Sequence, residues 1–283
     1  MDSIDIFLKR VFWRRLFGSA VLMTFLIIGV TSRAYGDDRL TLYFYSPEIN
    51  ITRNEVLKNT FDQYLEGLGP LRFQPVDSRD TFESLVEQNE NAIFIMSSWH
   101  FDQLERQMAS LVPRLRGLKN GSETYRKILF GEKGRVDLGG ITVATSGTED
   151  YSRSVLKEMF PNQPQEIFSK LRLLIVPKDI DALMAVGFGL ADAAMATERS
   201  LTKLSTLYKN QYQQLHILRE SKPLKRLVVA HGQKASPHFD QAIKILLQMR
   251  QSENGRRGLH MLGLDDWQQV EEKPLKGRGP MQK

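Results

Sequence analysis

The chain contains no cysteine. No disulfide can brace it and no lipid-modified N-terminal cysteine can tether it, so the fold must hold by burying a core, which 283 residues permit. Also missing are a P-loop, a dinucleotide fingerprint, and Gly-x-Ser-x-Gly or Ser-x-x-Lys in the strand–turn–helix setting their chemistry needs. The five histidines, His100, His216, His231, His238 and His260, are dispersed, and no pair has metal-ligand spacing beside a helical carboxylate. No nucleophile stands paired with a base. Catalysis is therefore not expected, nor is a metal or other cofactor; only Glu198 and His100 offer groups that an enzyme here would use. No internal repeat or low-complexity block is present, and basic residues form no dense stripe interleaved with aromatics. A solenoid, a disordered chain and a nucleic-acid partner are excluded on those grounds.

What is present begins with an export signal. Lys9, Arg10, Arg14 and Arg15 precede the uncharged apolar run 16–30, and Ala34-Tyr35-Gly36 sets small residues at the two positions a signal peptidase reads. Residues 1–36 are expected to be a signal peptide, or an uncleaved inner-membrane anchor, with Asp37 onward outside the cytoplasmic membrane. This leader carries half of the formal charge of +6. The remainder is only mildly basic, which suits anionic ligands.

From Leu40 the chain alternates between short apolar runs and amphipathic stretches. Leu40–Tyr45, Leu71–Val76, Ala92–Met96, Tyr125–Phe130, Ile141–Ala144, Leu171–Val176, Ala191–Ala196, Leu215–Leu218 and Arg226–Ala230 are predicted strands. Between them, apolar residues at helical spacing predict helices. Examples are Val56, Leu57, Phe61, Tyr64 and Leu65, then Tyr151, Val155, Leu156 and Met159, then Phe239, Ile243, Leu246 and Leu247. Strand–helix alternation with short polar links predicts α/β sheets covered on both faces. The charged end from Glu271 to Lys283 is expected to be a tail.

The stretch 136–160 organises the rest. A β-prone run leads into Thr145-Ser146-Gly147-Thr148 and then an amphipathic helix. The first N–H groups of a helix lack internal partners and lie at the positive end of its dipole, while Gly147 admits close approach and Ser146 and Thr148 add hydroxyls. An anion is one occupant of such a turn; a plain N-cap ahead of Glu149 and Asp150 is the other reading.

The order of these elements resembles that of the phosphate/phosphite/phosphonate-binding family of ABC-transporter solute-binding proteins. Four pieces carry the resemblance: Ala92–Trp99, an apolar strand entering a small polar turn; Val136–Tyr151, with Leu-x-Gly leading to the Ser/Thr/Gly turn; Asp181–Glu198 (DALMAVGFGLADAAMATE); and Phe239–Leu264, closing on a Gly-Leu ending. Ser97-Ser98 replaces the family's common Gly-Pro, and Thr197-Glu198 stands where an Asp or aromatic often follows.

The resemblance implies a two-lobed, type II periplasmic-binding-protein fold. Lobe 1 is expected over 37–135 plus 224–270 and lobe 2 over 136–221, with crossings near Lys133–Asp137 and Ser221–Leu224 and with Gly131, Gly134 and Pro223 as local pivots. It also implies a periplasmic monomer that captures a small phosphonate- or phosphate-like oxyanion for an ABC permease. The alternative is a sensory module facing a membrane receptor such as a histidine kinase. Ligand contacts in α/β sheets gather beyond the carboxyl ends of strands. The expected contacts are Ser97 and Ser98 from the first lobe and Thr145, Ser146, Gly147, Thr148 and Thr197 from the second. Tyr45 and Trp99 would pack on the ligand or in the core. Glu198 would accept a hydrogen bond from a protonated oxygen or an amine.

Overall fold

The computed structural model describes residues 39–48, 54–89, 91–108, 111–132, 138–213, 215–232 and 237–270. The expected leader, the crossing at 133–137 and the tail from 271 lie outside them.

Three of the apolar runs, Leu40–Tyr45 (β1), Leu71–Pro75 (β2) and Ala92–Met96 (β3), pair in parallel. The sheet is completed by Leu111–Leu118 (β4), Val228–Gly232 (β12) and Asp266–Gln269 (β13), in the order β13-β4-β12-β3-β1-β2. Side chains alternate across a strand, so β1 and β3 divide their residues between two layers. Leu40, Leu42, Phe44, Ile93 and Ile95 meet the helices Asn54–Leu65 (α1), Pro237–Leu247 (α9) and Glu253–Met261 (α10). Tyr45, Phe94 and Met96 meet Arg79–Gln88 (α2) and Ser98–Met108 (α3).

A second sheet has the order β10-β6-β9-β7-β8: His216–Glu220 (β10), Lys127–Gly131 (β6), Ala193–Thr197 (β9), Thr142–Thr145 (β7) and Arg172–Ile175 (β8). One face packs on Glu149–Met159 (α4) and Gln165–Lys170 (α5). The other packs on Asp179–Gly187 (α6) and Glu198–Leu207 (α7), which is followed by Lys209–Gln213 (α8).

The chain crosses between sheets twice, and the short strands Thr124–Tyr125 (β5) and Leu224–Lys225 (β11) pair antiparallel where it does so. This differs from the expected boundary. Lys127–Gly131 pairs with β9 and β10, so the first crossing precedes it, at Lys119–Arg126. The reason is physical: an apolar strand such as KILFG fits either sheet, and the glycine-rich segment behind it imitates a linker. Gly131 is thereby a sheet residue, with Leu218 and Asp192 closing on the space a Cβ would need. Asn120 and Gly121 adopt left-handed backbone in the tight turn that opens the crossing, at φ 51° and 74°.

Candidate functional site

The turn after β7 receives no free anion-binding amide from Thr148. That N–H donates to the Pro47 carbonyl of the first lobe at 2.7 Å, and the Thr148 hydroxyl makes no cap. Gly147 permits this approach. A Cβ there would lie 2.6 Å from Tyr151 Cδ1 and 3.3 Å from the Pro47 oxygen. Tyr151 is fully buried and cannot yield, so Gly147→Ala is expected to destabilise the protein by about 1–3 kcal/mol, the usual cost of overpacking. A thermal melt checks it; an unchanged midpoint would remove Gly147 from the lobe contact.

Trp99 belongs to the same contact. Its indole N–H donates to Ser154 Oγ at 3.1 Å, and its ring meets Tyr151 edge-on at 5.6 Å. The Arg79 guanidinium lies 5.8 Å from the Trp99 ring centre and reaches Asp150 at 3.5 Å. Deeper, the Tyr125 hydroxyl donates to Glu48 at 2.7 Å and lies 2.8 Å from the Tyr151 hydroxyl, which must then be the donor to Tyr125. Burial raises both phenols well above their usual range, so both keep their protons. Burial also pushes the Glu48 carboxyl up to about 7, against the opposing pull of Tyr125, Lys127, Ser97 and Arg226.

The remaining expected contacts divide. Tyr45 packs on Phe82 and His100 in the first lobe's core. Ser97 caps α3 by accepting from the His100 N–H, and Ser98 donates to the Arg226 carbonyl while accepting from Arg116. Thr145 is buried against Ser152. His100 is itself fully buried, 2.9 Å from Glu83, and burial holds its pKa down. None of these borders the cavity described next. Ser146, Thr197 and Glu198 do.

That cavity, about 880 Å³, lies where the two crossings meet the turns that open α6 and α7. One corner holds a carboxylate. Asp179 accepts from Ser146 Oγ at 2.6 Å, the Thr197 N–H at 2.9 Å and Lys127 Nζ at 2.9 Å. Burial alone would raise its pKa, but Lys127, Ser146 and the Thr197 N–H outweigh that and hold it below the usual carboxylate range. A hydroxyl, an amide and an ammonium thus converge on one internal carboxylate. Sequence reading missed Asp179, Lys127, Glu48 and Tyr125. The one signal was Lys127 at the mouth of a continuously apolar strand, since a lysine so placed needs a buried partner.

The family model "ABC transporter, phosphonate, periplasmic substrate-binding protein" matches residues 44–274. Among solved structures, the chain is similar to a binding-protein component of an ABC phosphonate transporter from Pseudomonas aeruginosa, with 10% identity and a TM-score of 0.59 over 82% of each chain. It is also similar to PhnD1 from Prochlorococcus marinus in complex with methylphosphonate, with 8% identity and a TM-score of 0.59 over 83% of this chain and 93% of that. XAC2383 from Xanthomonas citri, a structure bound to ATP, gives 14% identity and a TM-score of 0.57 over 82% and 91%. Comparison with curated protein sequences gives no match. At these identities the structures show the fold, that of the two-lobed type II periplasmic binding proteins. No helix among the described residues is long and apolar enough to cross a membrane. With a family match spanning both sheets and both crossings, the chain belongs to the periplasmic substrate-binding proteins of phosphonate ABC transporters.

Proposed function

We propose that this protein is an exported, monomeric, non-enzymatic solute receptor. It captures an oxyanion of phosphonate or phosphate type between its lobes and presents the closed form to an ABC permease. The observation that carries this reading is the cationic lining of the cavity at the lobe boundary, where Lys119, Lys127, Lys178, Arg199 and Arg226 gather beside a corner in which Ser146, Thr197 and Lys127 already hold one carboxylate, that of Asp179. Groups that hold a carboxylate so are equipped to hold the oxygens of a phosphorus oxyanion. Glu48 from the first lobe and Glu198 from the second border the same cavity and suit a protonated ligand oxygen or an amine. Closure follows as a population shift, because only the approached lobes present both sets of groups.

A second reading, a sensory module that signals to a membrane receptor, is favoured by one observation: Pro47–Thr148 and Trp99–Ser154 join the lobes directly. Thermal unfolding against phosphate, phosphite, alkyl- and aminophosphonates, sulfonates and amino acids separates the two. A ligand at 100 times its dissociation constant is expected to add about 2.7 kcal/mol. Stabilisation by phosphorus oxyanions supports the receptor. No stabilisation by any of them would sink it in favour of the sensor.

A further inference from the structure

The cavity is an open cleft of about 880 Å³, with room for more than an inorganic phosphate or methylphosphonate. Among the described residues, three of its six lining cations are in ion pairs, and Lys178, Arg199 and Arg226 are in none. Lys119 bonds Asp265, Arg126 reaches Glu220 at 3.4 Å, and Lys127 bonds Asp179. Arg199, in the first turn of α7, has neither a hydrogen bond nor an ion pair among the described residues. Arg226, on the returning crossing of the chain, uses Nε to donate to the Ser122 carbonyl at 3.0 Å. Its guanidinium stacks over Tyr125 at 5.4 Å, and its terminal nitrogens take no protein acceptor among the described residues. Arg199 from the second lobe and Arg226 from the crossing bear on one another: burial first and Arg199 last disfavour the Arg226 charge, which Tyr125, Glu48 and Asp265 support. Like charges facing one cavity ask for an anion between them. Glu198 stands next to Arg199 but is exposed, and Asp265 is already held by Lys119 and the Asn120 N–H. Apolar side chains from both lobes also border the cavity: Leu201 and Ile217 present accessible surface, and the largely buried Ile128, Leu227, Leu262 and Leu264 lie beneath.

We infer that the ligand is an organic phosphonate or phosphate monoester with a ring-sized apolar substituent. Its oxyanion is gripped between Arg199 and Arg226 and its body lies along these apolar side chains, while Asp179 keeps the Ser146 corner closed to it. This rests on the receptor reading above and names its substrate class. One arginine from the second lobe and one from the crossing also make the ligand itself the bond that favours closure.

The test is calorimetric titration of the protein with phenylphosphonate and 1-naphthyl phosphate beside methylphosphonate and inorganic phosphate. The aryl ligands are expected to bind at least about tenfold more tightly than the small ones, as burial of a ring on apolar side chains implies. Arg199→Ala is expected to weaken aryl binding about tenfold or more, the loss of one charge-assisted contact. Arg199 is exposed, so this variant folds. Arg226→Lys keeps the charge but loses the paired nitrogens, the Ser122 bond and the Tyr125 stack, so its melt is expected to fall somewhat, and aryl binding, titrated well below that melt, to weaken. Small oxyanions that bind as tightly as aryl ones, with binding lost in Ser146→Ala and kept in Arg199→Ala, would overturn the inference and leave the receptor standing. No binding by any phosphorus oxyanion would overturn both.

Discussion

Lys127→Ala is expected to cost about 3–5 kcal/mol of folding stability, the usual penalty for stranding one partner of a buried ion pair. Lys127 is 3% exposed, and its ammonium is the one side-chain cation bonded to Asp179 among the described residues. Removing it leaves a desolvated carboxylate with a hydroxyl and an amide only. The pH dependence should change with it. In wild type the Asp179 pKa is depressed, so its stabilising contribution is present above the unfolded value of 3.8 and is lost as pH falls through the lower folded value. In Lys127→Ala that advantage disappears, and acid should destabilise the variant less than wild type. Urea melts at neutral and acidic pH check both statements. A midpoint near wild type at neutral pH would show that the pair carries no stability.

The second large effect has the opposite sign. Glu48 titrates near 7 in the folded protein and near 4.5 when exposed, so the folded state binds its proton more tightly. Stability from this group is full below pH 4.5 and is lost as pH rises through 7. The bare shift corresponds to about 3 kcal/mol, and contact with water in the cavity reduces it to about 2 kcal/mol. Glu48→Gln keeps an acceptor for Tyr125 and removes the proton. The difference between the variant's stability and that of wild type is expected to grow in the variant's favour from pH 5 to pH 7.5, and chemical denaturation across that range reads it. A difference that does not change with pH would mean that Glu48 is ionised throughout. The Glu48–Tyr125–Tyr151 chain links the first lobe, the crossing and the second lobe, so its proton is also coupled to how firmly the lobes hold.

The fold was legible wherever burial leaves a plain pattern. Ala92–Met96 is apolar throughout because helices cover both faces of β3, and α4 shows Tyr151, Val155, Leu156 and Met159 at core spacing. Leu111–Leu118 was not legible, although it lies between β12 and β13, because Pro113 and two arginines interrupt its pattern. A register shift opposite Pro113 absorbs the missing donor. Helix α7 was hidden for a similar reason, since only Leu204 of its residues is buried.

The site was legible in part. Strand ends pointed to Ser146, Thr197 and Glu198, which do border the cavity. The same rule also chose Tyr45, Ser98 and Thr145, whose partners are core and backbone groups that only the fold brings near. Asp179 lies in the first turn of α6, where an acidic residue is unremarkable. Its role depends on Lys127, 52 positions away, and no local pattern carries that pairing.

Asp179→Ala empties the corner while leaving Ser146, Thr197 and Lys127 in place. Its melting temperature is expected to fall below that of wild type. Acetate, which supplies the missing carboxylate, and methylphosphonate should each restore part of the loss, and acetate should leave wild type unmoved. A variant that responds to neither anion would contradict the claim that the groups of this corner are equipped to hold an oxyanion.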